Sequence, residues 1–173
     1  MGGVLLPLDI GATQNAFETL GGTSFTQAYS QLKQTAFFDE FDKGKISAAD
    51  FRKNVRLLLH HPVSDAQIDN AWNAMLGVIP QARVEYLIEI RKHFRVVLLS
   101  NTNTIHIDAF MAMHEAVYGK NSFEKLFSRI YFSSDVGMRK PDAEIFEFVV
   151  NDAAFEKSET IFIDDSPQHV TGA

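Results

Sequence analysis

The sequence contains no cysteine. That excludes disulfides, thiolate metal sites and a cysteine nucleophile, and it fits a reducing compartment such as the cytoplasm. Long apolar runs are also missing. The longest, such as residues 96–99, fall far short of the roughly 20 residues a bilayer-spanning helix needs. No charged n-region followed by an apolar h-region opens the chain, so no signal peptide is read. Positive charge is scarce: 16 Lys and Arg face 22 Asp and Glu, for a net charge of -6. No basic stripe forms, which argues against a nucleic-acid partner and against an anionic membrane surface. There is no internal repeat and no low-complexity segment.

What is present is apolar and aromatic. The 173 residues are 46% hydrophobic, with 15 Phe that must be mostly buried. That suffices for one domain, or for one core with a small insert. Residues 12–80 read as helical. A helix over 12–20 stops at Gly21-Gly22, and Ser24 or Thr26 caps another through about residue 35. Phe37, Phe38 and Phe41 give a short apolar face. Ser47 opens a helix with Asp50 at its third position and Phe51, Val55, Leu58 and Leu59 on one face. Ser64-Asp65-Ala66-Gln67 is a full capping box, followed by Ile68, Ala71, Trp72, Met75 and Leu76 at helical spacing up to Gly77. Pro80 begins the next helix, with Val84, Leu87 and Ile88 inward.

The pattern then changes to strand–helix alternation. Residues 95–99 read as a buried strand ending in Ser100-Asn101-Thr102. A helix over 105–118, a strand over 129–132 and a loop over 133–140 come next. Pro141 suits the first position of a helix reaching about 151. The last strand, 160–163, runs into Asp164-Asp165-Ser166-Pro167. A helical block followed by this alternation predicts a parallel sheet with right-handed crossovers and an inserted helical module.

Three strand ends in such a sheet converge on one edge, where ligands bind. They deliver a hydroxyl (Ser100), an ammonium (Lys140) and two carboxylates (Asp164, Asp165). Ser100 and nearby backbone N–H groups can hold phosphate oxygens, Lys140 can neutralise developing charge, and the aspartates suit Mg²⁺. Asn101 and Thr102 beside Ser100 are candidate substrate contacts. Each group also has a plainer explanation: Ser100 as a helix cap, Lys140 as a solvated loop residue, the aspartates as an acidic turn.

The segments Leu98-Leu99-Ser100-Asn101-Thr102-Asn103, Val136-Gly137-Met138-Arg139-Lys140-Pro141-Asp142 and Phe162-Ile163-Asp164-Asp165-Ser166 resemble motifs two, three and four of the haloacid dehalogenase superfamily. Their intervals, 40 residues from Ser100 to Lys140 and 24 from Lys140 to Asp164, also fit. Gly2-Gly3-Val4-Leu5 resembles the segment just after the nucleophile in motif one. The stretch 71–76 around Trp72 resembles a phosphatase-like branch. The resemblance implies an α/β fold: a Rossmann-like three-layer parallel-sheet core (1–10 and 80–173) with an inserted all-helical cap (11–79). It implies that Ser100 binds the phosphoryl group and Lys140 stabilises nucleophile and phosphate. Asp165 would ligate Mg²⁺ directly, Asp164 through water or as a hydrogen-bond partner, and Gly2 through its carbonyl. The attacking aspartate would lie immediately before Met1, so the core is expected to be incomplete at both ends and the chain as written inactive.

Other signals are weaker. Residues 39–50 resemble a calcium loop, but Phe41 and Lys43 occupy positions that need oxygen ligands. His60 and His61 are neighbours that point apart on a helix. His106 is read as a substrate contact or a helix-surface residue, and Trp72 as cap core or substrate-facing. The function expected is a Mg²⁺-dependent phosphatase of small phosphorylated metabolites acting through an aspartyl-phosphate. A metal-independent 2-haloacid dehalogenase and a non-catalytic binding domain on the same fold are the alternatives.

Overall fold

A computed structural model of the chain describes residues 1–21, 36–59 and 62–173. The helix read over 24–35, and the His60-His61 pair, lie outside the described residues. The N-terminal half is helical: α1 (Ile10–Thr19), α2 (Ala36–Asp42), α3 (Ala48–Leu59), α4 (Asp65–Asn73) and α5 (Gln81–Ile90). Then come β1 (Val97–Ser100), α6 (Thr104–Tyr118), β2 (Arg129–Phe132), α7 (Ser133–Val136), α8 (Ala143–Asp152) and α9 (Pro167–Gly172). Strands β1 and β2 pair in parallel from Val97↔Arg129 to Ser100↔Phe132, with α6 in the connection between them. No helix of the described residues is long and apolar enough to cross a membrane.

Local chemistry starts the helices. The Asp9 carboxylate accepts from the Ala12 N–H and caps α1. Ser47 and Asp50 bond each other at the start of α3. At α4 the Ser64 hydroxyl accepts from the Gln67 N–H while Gln67 accepts from the Ser64 N–H, the reciprocal capping box. Asn103 caps α6 by accepting from the His106 N–H.

Apolar faces then sort into clusters. One joins Phe17 of α1, Phe41 of α2, Phe51 and Val55 of α3, Ile68 and Trp72 of α4, and Ile105 of α6. Phe41 and Phe51 stack with ring centroids 4.4 Å apart. A second places Leu98 of β1 and Phe132 of β2 against Phe110 of α6, Leu87 of α5 and Leu6. Ile105 and Phe110 lie on one helix but in different clusters, so α6 is packed from both sides.

Several expectations need correction. Residues 160–163 form no strand, and Ile161 and Ile163 are 86% and 71% exposed. An extended segment becomes a strand only beside another that satisfies its amides and carbonyls, and the sheet of the described residues holds only β1 and β2. Helix α4 ends at Asn73, not near Gly77. The chain leaves the helix to form a bridge between Leu76 and Leu8, and the Gly77 N–H donates to the Pro7 carbonyl at 3.0 Å. A Cβ on Gly77 would press on the Pro7 ring, so the glycine serves that close approach. Ile88 is 52% exposed rather than inward, because Val84 and Leu87 alone carry the buried face of α5. Pro141 lies before the N-cap Asp142 of α8 and not inside the helix. The loop read over 133–140 begins with the short helix α7, closed by Gly137 at φ 75°.

Candidate active site

The C-terminal end of β1 turns directly into Ser100, Asn101 and Thr102, and Asn103 then opens α6. Ser100 and Thr102 are buried. The Ser133 hydroxyl, at the end of β2, accepts from the Thr102 N–H at 2.9 Å and donates to the Thr102 carbonyl. The two strand ends are therefore cross-tied.

Asn101 makes a second tie. Its side-chain oxygen accepts from the Lys140 N–H at 2.9 Å and its NH₂ donates to the Lys140 carbonyl at 2.8 Å. Both ends of the amide are used on one main-chain residue. Asn101, expected as a substrate contact, thus acts through its side chain as a holder of Lys140.

Lys140 is only 2% exposed. Its ammonium forms an ion pair with Asp164 and donates to the Leu99 carbonyl at 3.3 Å. Asp164 also accepts from the Ser166 N–H at 3.0 Å and bonds His169 Nδ1 at 2.8 Å. Burial by itself would raise the pKa of Asp164. The bonds from Lys140, Ser166 and His169, with the Lys140 charge, outweigh it and hold the carboxyl at about 2. Asp164 is an ionised, fully engaged carboxylate.

Asp165 differs. It is exposed and makes no side-chain hydrogen bond or ion pair among the described residues. Its carboxylate lies over Gly3, where a Cβ would collide with it; Gly3 also has φ 75°. The glycine leaves the space the carboxylate uses. The Met1 nitrogen lies at the same place. It lies near Lys140, Asp164 and Asp165.

A cavity of about 210 Å³ adjoins these groups. Gly2, Ser100, Asn101 and Thr102 form part of one wall, and Trp72 and Asp42 from the helical block face it. His106 lines it too, and is buried rather than on the helix surface. Trp72 packs in the helical cluster and also lines the cavity. Asp39, at the head of the calcium-like stretch, pairs with Arg139, and Asp50, at its end, with Ser47.

The model of the haloacid dehalogenase-like hydrolases matches residues 9–173. The chain belongs to this family. It is similar to D-ribitol-5-phosphate phosphatase from Bacteroides thetaiotaomicron, 30% identical over 98% of this chain and 82% of that protein. It is also 30% identical to a sesquiterpene phosphatase from Aspergillus oryzae, over 100% of this chain and 81% of that one. Among solved structures, a haloacid dehalogenase family enzyme from Bacteroides thetaiotaomicron superposes with a TM-score of 0.94 at 34% identity, covering 99% of this chain and 85% of that one. That structure is an Asp-to-Ala mutant in complex with magnesium and inorganic phosphate. A haloacid dehalogenase-like hydrolase from Porphyromonas gingivalis gives 0.88 at 26% identity, covering 99% and 82%. The fold is therefore the Rossmann-like α/β architecture of this hydrolase family.

The donor set suits a hard cation. Mg²⁺ prefers a few oxygen ligands and keeps several waters, so one or two carboxylates suffice. Asp165 has free oxygens for direct ligation. Asp164 has its oxygens committed to Lys140, Ser166 and His169, which suits an outer position. No group of three metal-ligating side chains forms among the described residues.

Four residues of the site escaped the sequence reading: Asp42, Asn103, Ser133 and His169. Asn103 had a usable signal, an Asn directly before a helical pattern. The others reach the site only through tertiary packing.

Proposed function

We propose that the protein is a Mg²⁺-dependent phosphomonoesterase of small phosphorylated metabolites, working through an aspartyl-phosphate. The observation that carries this reading is the buried Lys140–Asp164 pair, locked to the end of β1 by Asn101, with the free carboxylate of Asp165 beside it. The named relatives act on a phosphorylated polyol and a phosphorylated sesquiterpene, which supports a phosphate ester as the substrate class.

In this reading Ser100 binds a phosphoryl oxygen, and Lys140 neutralises charge on the attacking carboxylate and the phosphoryl group. Asp165 and the Gly2 carbonyl would hold Mg²⁺, with Asp164 in an outer position, and the ion would supply charge neutralisation and orientation of the phosphate. The attacking aspartate belongs immediately before Met1, and the Met1 nitrogen lies beside Lys140, Asp164 and Asp165. Its carboxylate oxygen bonds to phosphorus as the ester oxygen leaves. Water then cleaves the acyl phosphate and restores the carboxylate. Gly2 has no side chain to shuttle the leaving-group proton, so the departing oxygen takes its proton from water. The helical block of residues 11–79 acts as a cap over the cavity, and the cytoplasm is the compartment that fits a cysteine-free chain.

The intact protein should release phosphate from p-nitrophenyl phosphate with Mg²⁺ and stop on addition of EDTA. Asp165→Asn should abolish the response to metal. Activity indifferent to EDTA would overturn the reading, and halide release from a 2-haloacid without metal would replace it with dehalogenation.

A further inference from the structure

The cavity contains two groups that phosphoryl transfer does not use. The first is His106 of α6, 8% exposed. Its Nδ1 lies 2.8 Å from the Asn73 side-chain oxygen. That oxygen accepts only, so Nδ1 carries the proton and Nε2 the lone pair. Burial pushes the pKa of His106 down to about 4, so the ring is neutral near pH 7. Nε2 has no hydrogen-bond partner among the described residues, and the side chain lines the cavity.

The second is Asp42, at the C-terminal end of α2. One carboxylate oxygen accepts from Asn103 Nδ2 at 3.2 Å. The other has no hydrogen-bond partner among the described residues, and Asp42 also lines the cavity. Both groups are held in place. The His106 ring stacks on Trp72 with centroids 4.9 Å apart and planes within 8°. Asn103, itself buried, accepts from Trp72 Nε1 at 3.4 Å and from the His106 N–H at 3.1 Å while donating to Asp42.

A wall that offers two fixed acceptors asks for donors. A hydrocarbon chain placed there would strip both acceptors of water and return nothing. Alcohol hydroxyls would satisfy them. The volume is below the range usual for drug-sized ligands, so the ligand is small. We propose that Asp42 and His106 are specificity residues that accept hydrogen bonds from the hydroxyl groups of a polyol-type phosphate. The substrate class is polyhydroxylated and not terpenoid. This inference rests on the phosphatase reading and deepens it.

The test compares kcat/KM of the intact protein on ribitol 5-phosphate, n-pentyl phosphate and p-nitrophenyl phosphate. The two five-carbon esters differ in their hydroxyls. A site that hydrogen-bonds hydroxyls rejects the analogue lacking them strongly, so the polyol ester should be preferred at least tenfold. His106→Phe, which keeps a ring against Trp72, and Asp42→Ala should each lower that preference by about tenfold. The preference is a ratio of two substrates on one preparation, so a partly unfolded variant does not change it. Equal efficiency on both esters, or a preference unchanged in both variants, overturns the assignment while turnover of p-nitrophenyl phosphate leaves the phosphatase reading standing. No release from any of the three overturns both.

Discussion

Replacing Lys140 by Met should destabilise the protein by about 3 kcal/mol. The Lys140 and Asp164 side chains are 3% and 4% exposed, so neither charge has much water to fall back on. Removing one partner of a buried ion pair costs about 3–5 kcal/mol, because the other is left charged and unpaired. The lower edge applies, since Asp164 keeps the Ser166 N–H and His169. Leu99 loses a donor as well. For a domain of this size about 3 kcal/mol is a fall of roughly 6–12 °C in Tm. The stability of natural domains, about 5–15 kcal/mol, leaves the variant folded. Asp164→Leu should cost a similar amount by stranding Lys140. The double variant, with no buried charge left, should cost less than either single change, so the two single costs do not add. Urea unfolding of the four proteins gives the cycle. The wild-type Asp164 pKa lies below its unfolded value, so its contribution is present above about pH 4 and is lost as pH falls through about 2. In Lys140→Met, burial loses its main opponent and the carboxyl should titrate higher, read by carboxyl NMR. A Lys140→Met midpoint equal to wild type, or additive single costs, would refute the reasoning.

Other perturbations test separate parts of the structure. Gly3→Ala places a methyl group against the Asp165 carboxylate at a φ of 75°, so the apparent affinity for Mg²⁺ in the phosphatase assay should weaken at least tenfold; an unchanged metal titration argues against Asp165 as the ligand. His106 is held neutral by burial, with a folded pKa of about 4 below the usual 6.5. Its contribution is therefore full above about pH 6.5 and declines by up to about 1.4 kcal/mol per unit toward pH 4. Urea midpoints at pH 7 and pH 5 should differ less in His106→Phe than in wild type. His114 is 2% exposed, its pKa is lowered by burial, and neither ring nitrogen has a partner among the described residues. His114→Leu should raise stability by about 1 kcal/mol by removing unpaired polar atoms beside Tyr118 and Phe123. A lower Tm would show that the ring is worth more as packing than its bare nitrogens cost.

Much of this protein is local and was legible as such. The Ser64–Gln67 capping box, the buried Phe51, Val55 and Leu59, and the strands ending at Ser100 and Phe132 all arise from periodicity and neighbouring side chains. The intervals between Ser100, Lys140 and Asp164 were readable too, although only Ser100 lies at a strand end among the described residues. Helix ends were less legible. Nothing near Asn73 announces that α4 stops there; the cause is Leu8, more than sixty residues away in sequence, bridging to Leu76. The apolar run 160–163 has strand composition, yet a strand is a property of a pair, and no neighbour among the described residues completes it.

Residue types and their intervals, with the resemblance they carry, singled out Ser100, Lys140, Asp164 and Asp165 as candidates for one site. Only the tertiary structure divided the work among them. Asp164 and Asp165 are adjacent and chemically identical, but one is saturated by Lys140, Ser166 and His169 while the other stands free over Gly3. Asn101, expected as a substrate contact, also clamps Lys140, 39 residues on, which presents both an N–H and a carbonyl to its amide. Asp42 of α2 and His106 of α6 come together through Asn103, the N-cap of α6. Partners distant in sequence leave no periodic trace in it, because the packing of whole elements brings them within hydrogen-bond reach.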